Sequence, residues 1–424
     1  MVADCGEGLG PGLFARGPVW VPAMAISKKR IPELDGVRGI AILLVLLWHF
    51  TGMLVDPAQG DVQYLAWRYL IFGRTGVDLF FVLSGFLIIG ILVDNRDSPN
   101  YFTTFYARRA LRILPPYLIL VGACWLLFKV SNARAEAYFG RELPLWSLLT
   151  FTQNWVMASI NSYGATLSGG TWSLAIEEQF YLFAPMLILL LPPRWLLKTL
   201  VAIGIVSLVA RSAYFYLHPE QMLAPYVVTV FRLDGLCAGG VIAIAYRHSA
   251  MWSAIVLRRK TLLAALAILM AIVPFYTWSL RSDFSHLAEY HFGHAYLALL
   301  YAVILTSVLV WSGKPSTAWL RSKNLTVVGA ISYSLYLFHP LFKELFFVLA
   351  RRGEQLTSPI DIVLLSAAMV STFVFCAVLY RCVERPAQRL GHRFRYECPT
   401  RLRWDTAAHD NPLSPIVMDR PSRQ

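Results

Sequence analysis

The sequence predicts an all-α fold, a polytopic bundle of about ten transmembrane helices around a polar cavity, and three observations carry that expectation. Hydrophobic residues make up 57% of the 424 and charged residues only 15%, below the ~25% charged of soluble domains, and the mean hydropathy is +0.54. Apolar runs long enough to cross a hydrocarbon core of roughly 30 Å recur along the chain. Ionisable residues stand inside several runs, where they are costly and usually face a bundle interior or a wet cavity. The runs consume a length that would otherwise make two or three soluble domains, so one membrane domain is expected over 31–390, between an N-terminal tail, 1–30, and a cytosolic C-terminal tail, 391–424.

Residues 1–23 hold Asp4 and Glu7 ahead of any base and no continuous apolar region, which is not the order of a secretory signal. Met24 opens MAISKKRIPELDG, a more natural start, so the stretch before it is expected to be disordered or mis-started. Spanning runs then fall at about 37–55, 77–93, 113–130, 173–191, 196–217, 226–246, 261–280, 294–312, 326–350 and 361–382. Ten spans put both termini on one side, and the distribution of bases decides which. Lys28, Lys29 and Arg30 precede the first run, and Arg96, Arg108, Arg109 and Arg112 follow the second. Arg194, Lys198, Arg247, Arg258, Arg259, Lys260, Lys314, Arg321, Lys323, Arg381, Arg385 and Arg389 fall on the same side. The opposite loops hold fewer, among them Arg68, Arg74, Arg134, Arg141 and Arg281, so both ends are assigned to the cytosol.

The net charge of +13 is spread over these loops rather than gathered in a basic module, which argues against nucleic acid as a partner. Cys5, Cys124, Cys237, Cys376, Cys382 and Cys398 form no CxxC pair, so neither a disulfide frame nor a metal site is indicated. No internal repeat of the kind many transporters carry is visible. The connection 131–172 is too long for a turn and sets Trp146, Trp155 and Tyr163 amid Asn, Ser and Gly, as an outer loop anchored at the membrane interface or a carbohydrate surface would. From Tyr396 the tail is polar, without apolar periodicity, and is expected to be disordered.

The stretch Ile31–Phe50, IPELDGVRGIAILLVLLWHF, sets an arginine at the foot of an apolar helix and a histidine within it. At ~100° and ~1.5 Å per residue, Arg38 and His49 lie within about 20° of one face and about 16 Å apart. A helix starting near Gly36 would place His49 near mid-depth. Arg109 and Arg112, three apart on one face, offer planar forked donors to phosphates. With Arg108 they serve equally well for orientation and lipid headgroup contact. Glu177 and Glu178 open a run behind Gly169, Gly170 and Thr171, where a helix N-terminus favours carboxylates. Arg232 and Asp234 are two apart, hence on different faces, and each is expected to pair with another span or to touch an acceptor. His339 precedes Pro340, which frees a backbone carbonyl, and Tyr333, Tyr336 and His339 follow one another at spacings of three. His286, His291 and His294 read as interface residues and Glu384 as the cap of a cytosolic salt-bridge cluster at the end of the tenth run.

LDGVRG followed by His ten residues after its arginine resembles the signature of the acyltransferase-3 family of integral membrane enzymes. GVDLFFVLSGFLI from Gly76, FYARRALRILPPY from Phe105, GTWSLAIEEQFYLF from Gly170 and ISYSLYLFHPL from Ile331 match in the same order. RLDGL at Arg232 and VERP at Val383 extend the similarity from about 31 to about 390. The resemblance implies O-acyl transfer, most simply of acetyl, from cytosolic acyl-CoA as co-substrate to a hydroxyl of a glycan, glycolipid or related acceptor, such as a lipopolysaccharide or peptidoglycan sugar. It implies residence in a bacterial inner membrane among its lipids, with no bound cofactor and no metal. In that reading His49 is the general base or an acyl carrier, Glu177, at the WSLxxE spacing, orients its imidazole, and Arg38, Arg109 and Arg112 bind the donor phosphates. Arg232, Asp234, Tyr336 and His339 are then acceptor or cavity residues. The competing reading is a transporter that uses His49, Glu177 and His339 as a proton or substrate pathway, and a third is a scaffold subunit with a decayed site.

Overall fold

The structure, a computed structural model, describes residues 31–131 apart from 57 and 59, and residues 140–280, 290–350 and 358–397. The expected start at Met24, together with Cys5, Arg134, Arg281, His286 and Cys398, lies outside them. Among the described residues ten main helices carry the fold: α1 Pro32–Phe50, α2 Gly76–Asp94, α3 Tyr101–Ser131, α4 Trp172–Leu190, α5 Pro193–Leu217, α6 Leu233–Arg247, α7 Arg259–Ser279, α8 Gly293–Val310, α9 Ser332–Leu349 and α10 Pro359–Leu379. Among the described residues there is no strand.

Eight of these helices are long and apolar enough to cross a membrane. The other two, α6 and α9, reach that mark only with the short helices Ser249–Leu257 and Lys323–Ala330, to which they are bent by 99° and 72°. The expected run 326–350 is therefore broken at Ile331, because hydropathy reports composition and not direction. The run expected at 226–246 likewise starts with short turns at Ala224–Val227 and Thr229–Phe231 before α6 begins. A third difference is α3, which starts at Tyr101 rather than near 113 and continues through Pro115 and Pro116. Arg108, Arg109 and Arg112 consequently ride within this helix instead of at its entrance.

Local chemistry explains the ends of the helices that matter. Pro32 stands in the first turn of α1, where its missing N–H costs nothing, and Glu33 and Asp35 follow at the positive end of the helix dipole. Ser358 and Asp361 form a reciprocal capping box at α10, with Ser358 N–H donating to Asp361 Oδ2 at 2.7 Å. Glycines set the closest helix contacts: a methyl at Gly85 of α2 would strike the Leu236 carbonyl of α6, and one at Gly239 of α6 the Val82 carbonyl of α2. Small residues at membrane helix crossings let backbones approach in this way. Gly36 and Gly329 do the same for α1, against the carbonyls of Leu320 and Asp35.

The long connection after α3 folds into short helices Leu145–Leu149, Gln153–Ser159 and Thr166–Gly169. Its Trp146, Trp155 and Tyr163 are exposed, as expected of interface or ligand-facing aromatics. The tail departs from expectation at its start. Arg108 Nε donates to the Phe394 carbonyl at 2.6 Å and its guanidinium lies 5.2 Å from the Tyr396 ring, while Glu397 N–H donates to Asn100 at 3.0 Å. Residues 398–424 lie outside the described part.

Candidate active site

Helices α1, α2, α3, α4 and α9 enclose one cavity of about 780 Å³ of empty space, open solvent at its mouth included. Arg38, Arg109, Arg112, Glu177 and Tyr336 all line it, so five residues singled out in the sequence meet in one place. Arg38 stands 3.4 Å from Asp35, one turn back on α1. The Arg109 guanidinium lies 5.5 Å from the Tyr181 ring and 5.9 Å from that of Phe105, within cation–π range. Three guanidiniums around one hollow repel one another, and an anionic ligand relieves that repulsion.

Glu177 is held differently from the expectation. Its carboxylate accepts from Tyr181 at 2.6 Å and from Ser84 at 3.1 Å, and Tyr181 and Ser84 are themselves 3.2 Å apart. Among the described residues no hydrogen bond joins it to His49, whose imidazole meets the Val45 carbonyl of its own helix instead. Ser84 and Tyr181, both on the cavity wall, were missed in the sequence. Tyr181 had a signal, since it follows Glu177 by one helical turn; Ser84 was visible only as part of the matched GVDLFFVLSGFLI. At the far side, Tyr336 donates to the Gly170 carbonyl at 2.9 Å and touches Ser173, while Tyr333 donates to the Ile113 carbonyl at 3.0 Å.

His49 and His339 meet edge to face, their ring centroids 4.7 Å apart, with the Tyr336 ring 6.1 Å from that of His339. His49 Nδ1 lies 2.8 Å from the Val45 carbonyl. A carbonyl only accepts, so Nδ1 carries the hydrogen and Nε2 presents its lone pair. In α9, Pro340 has no N–H for the Tyr336 carbonyl, and His339 Nδ1 takes that oxygen at 2.9 Å and the Leu335 carbonyl at 3.1 Å. His339 is 2% exposed, and its Nε2 has no hydrogen-bond partner among the described residues. α1 begins at Pro32 rather than near Gly36, so His49 falls in its last turn, about 9 Å along the helix beyond the middle of the Pro32–Leu54 span.

Arg232 and Asp234 do not line this cavity. Each pairs with another helix, as their spacing implied: Arg232 with Asp78 of α2 at 2.7 Å, and Asp234 with Arg211 of α5 at 2.9 Å. The Arg232 guanidinium is ringed by Phe81, Trp172 and Tyr226, 5.0 to 5.5 Å from their centroids. His294 joins this cluster, 3% exposed and 3.4 Å from Asp78, and is no interface residue. Glu384 is likewise buried, accepting from Ser334 at 2.7 Å and Gln388 at 2.9 Å inside the π-turn Tyr380–Glu384, rather than forming a surface salt-bridge cluster.

Helices of spanning length wrapped around a polar, arginine-lined cavity make this an integral membrane protein with a built internal site. The chain belongs to the acyltransferase-3 family, whose model, described as an acyltransferase domain, matches residues 31–381. It is 25% identical over 389 residues to the O-acetyltransferase OatA of Staphylococcus aureus strain NCTC 8325, a match covering 87% of this chain and 58% of that protein. Putative O-acetyltransferases of S. aureus strains COL and MSSA476 are 27% identical over 390 residues, covering 86% of this chain and 58% of each relative. The chain thus spans a little under six tenths of the length of these relatives. No solved structure matches it.

Proposed function

We propose that this chain is a membrane O-acyltransferase that moves an acyl group, most simply acetyl, from acyl-CoA to a hydroxyl of a glycan, glycolipid or related acceptor. The observation that carries the reading is the convergence of Arg38, Arg109 and Arg112 on one cavity whose far wall, at Tyr336, adjoins the His49–His339 pair. Family membership and the names of the relatives support the reaction class. The donor phosphates bind the three guanidiniums on the cytosolic side, in a bacterial inner membrane with both termini cytosolic, an orientation supported by the bias of bases. The pantetheine arm runs past Ser84 and Glu177 toward His49, about 16 Å along α1 from Arg38.

His49 Nε2 takes the proton of the acceptor hydroxyl as its oxygen attacks the thioester carbonyl. The C–O bond forms, the C–S bond breaks and CoA leaves as a thiolate, which regains the proton. An acyl-imidazole at His49 Nε2, formed and then discharged to the acceptor, balances equally well. Glu177, fixed by Ser84 and Tyr181, offsets the cationic charge of the cavity and shapes the donor channel. The decisive experiment is release of CoA thiol from acetyl-CoA by purified protein with membrane glycan: acceptor-dependent release is expected, and its absence in folded protein overturns the reading.

A further inference from the structure

Outside the residues that line the cavity, a second cluster gathers around Tyr226. Trp172 packs on its ring at 4.8 Å between centroids and Tyr163 approaches it edge-on at 6.5 Å. Two guanidiniums address the same ring, Arg232 at 5.0 Å and Arg74 at 5.2 Å. They are not equivalent. Arg232 is fully buried and bound to Asp78, whereas Arg74 and Tyr226 are half-buried and Tyr163 is 41% exposed. Aromatic residues and a cation therefore run from the protein's interior to its surface.

This cluster communicates with the reacting end. Gly170, whose carbonyl takes the Tyr336 hydroxyl, has open space at its Cα, where a methyl would meet no atom within 4 Å. The Tyr336 ring in turn lies 6.1 Å from that of His339, which meets His49 edge to face.

Resting on the acyl-transfer reading, we propose that Arg74, Tyr226, Trp172 and Tyr163 form the acceptor subsite, and that the acceptor is a saccharide bearing a carboxylate or phosphate near its reacting hydroxyl. The planar fork of Arg74 suits either anion. Rings with an apolar face and a polar tip suit a sugar, whose faces are apolar and whose edge is polar.

The test uses the full chain in lipid nanodiscs and three fluorescent oligosaccharides of equal length, one with a uronic acid, one with a sugar phosphate and one neutral. Binding is titrated without donor, and acetyl transfer is followed separately. Wild type is expected to bind at least one charged probe about tenfold or more tightly than the neutral one, the scale of a charge-assisted contact. Arg74→Gln should erase the preference and Arg74→Lys restore part of it, while acetyl-CoA binding, read by calorimetry, stays unchanged and reports correct folding. Which charged probe wins separates carboxylate from phosphate. Equal binding of all three probes, no binding of any, or an Arg74→Gln loss shared by the neutral probe overturns the proposal. Displacement of the charged probe by phosphatidylglycerol vesicles, but not by phosphatidylcholine, assigns the cluster to lipid headgroups and overturns it as well. Failure of acyl transfer itself shows independently, as no CoA release with any acceptor.

Discussion

The imidazole of His339 stands edge-on to that of His49, with ring planes at 72° and centroids 4.7 Å apart, and each Nδ1 is tied to a backbone carbonyl of its own helix. Both rings therefore present Nε2 lone pairs as acceptors, and neither can donate to the other from Nδ1. One donor between them, a hydroxyl or a water, satisfies an atom that is otherwise buried without a partner. An acceptor hydroxyl has that shape.

His49→Ala is accordingly expected to lower transfer by about 10²- to 10⁴-fold, the usual worth of a positioned base, with the Kd for acyl-CoA nearly unchanged. His339→Gln, which keeps a side-chain acceptor, should retain more activity than His339→Phe. Glycan acylation measured beside calorimetric donor titration checks both. Robust transfer by a folded His49→Ala protein would sink the mechanism, and loss of donor binding would recast His49 as a binding residue.

The three arginines have a different signature. Arg109→Ala or Arg112→Ala should chiefly raise the KM for acyl-CoA, with a smaller loss at saturating donor, as expected when uniform binding is removed. Arg38→Lys should be intermediate between Arg38→Ala and wild type, because lysine supplies charge without the fork. Normal donor KM in well-folded variants would leave these residues as lipid contacts.

Much of this site was legible because helical phase and motif order act locally. Arg109 and Arg112 share a face by spacing alone, and Arg38 and His49 share another. Pairings across the bundle were not legible. Asp78 claims both Arg232 and His294 across distant sequence positions, and nothing local marks His294 as buried. The partners of Glu177 were half legible, since Tyr181 sits one turn away but Ser84 lies on another helix. The break at Ile331 was hidden because a bent run and a straight run have the same hydropathy.

The Glu177 triangle predicts coupling. Tyr181→Phe removes the shorter of two hydrogen bonds to a carboxylate, at a cost of about 1.5–3 kcal/mol. In the Glu177→Gln background the same change should cost visibly less. A double-mutant cycle on thermal unfolding reads the difference, and purely additive losses would mean that the triangle contributes no coupled energy.

The α2–α6 crossing predicts a stability effect remote from chemistry. Gly85→Ala and Gly239→Ala each push a methyl into a backbone carbonyl of the partner helix, where no side chain can give way. Overpacking typically costs about 1–3 kcal/mol, and more where backbone must shift. Gly122→Ala, where the added methyl meets nothing within 4 Å, is the control. A lowered Tm in detergent is expected for the first two, and an unchanged or slightly raised Tm for the third, because alanine is the better helix former where nothing clashes.

The last prediction separates structure from recognition at Asp234. Its carboxylate bonds the fully buried Arg211, whose guanidinium also donates to the carbonyls of Tyr290, at 3.0 Å, and Phe231. Removing one member of a buried pair leaves a charge with no counter-ion, at about 3–5 kcal/mol, whereas replacing both with apolar residues is often neutral. Asp234→Asn should therefore lower the Tm sharply. The double variant Asp234→Leu with Arg211→Met should recover most of that loss, though not all, because two carbonyls lose their donor. If the pair is structural, the double variant also recovers acyl transfer along with stability. A stable double variant with intact donor binding but no transfer would instead give Asp234 a direct part in holding the acceptor.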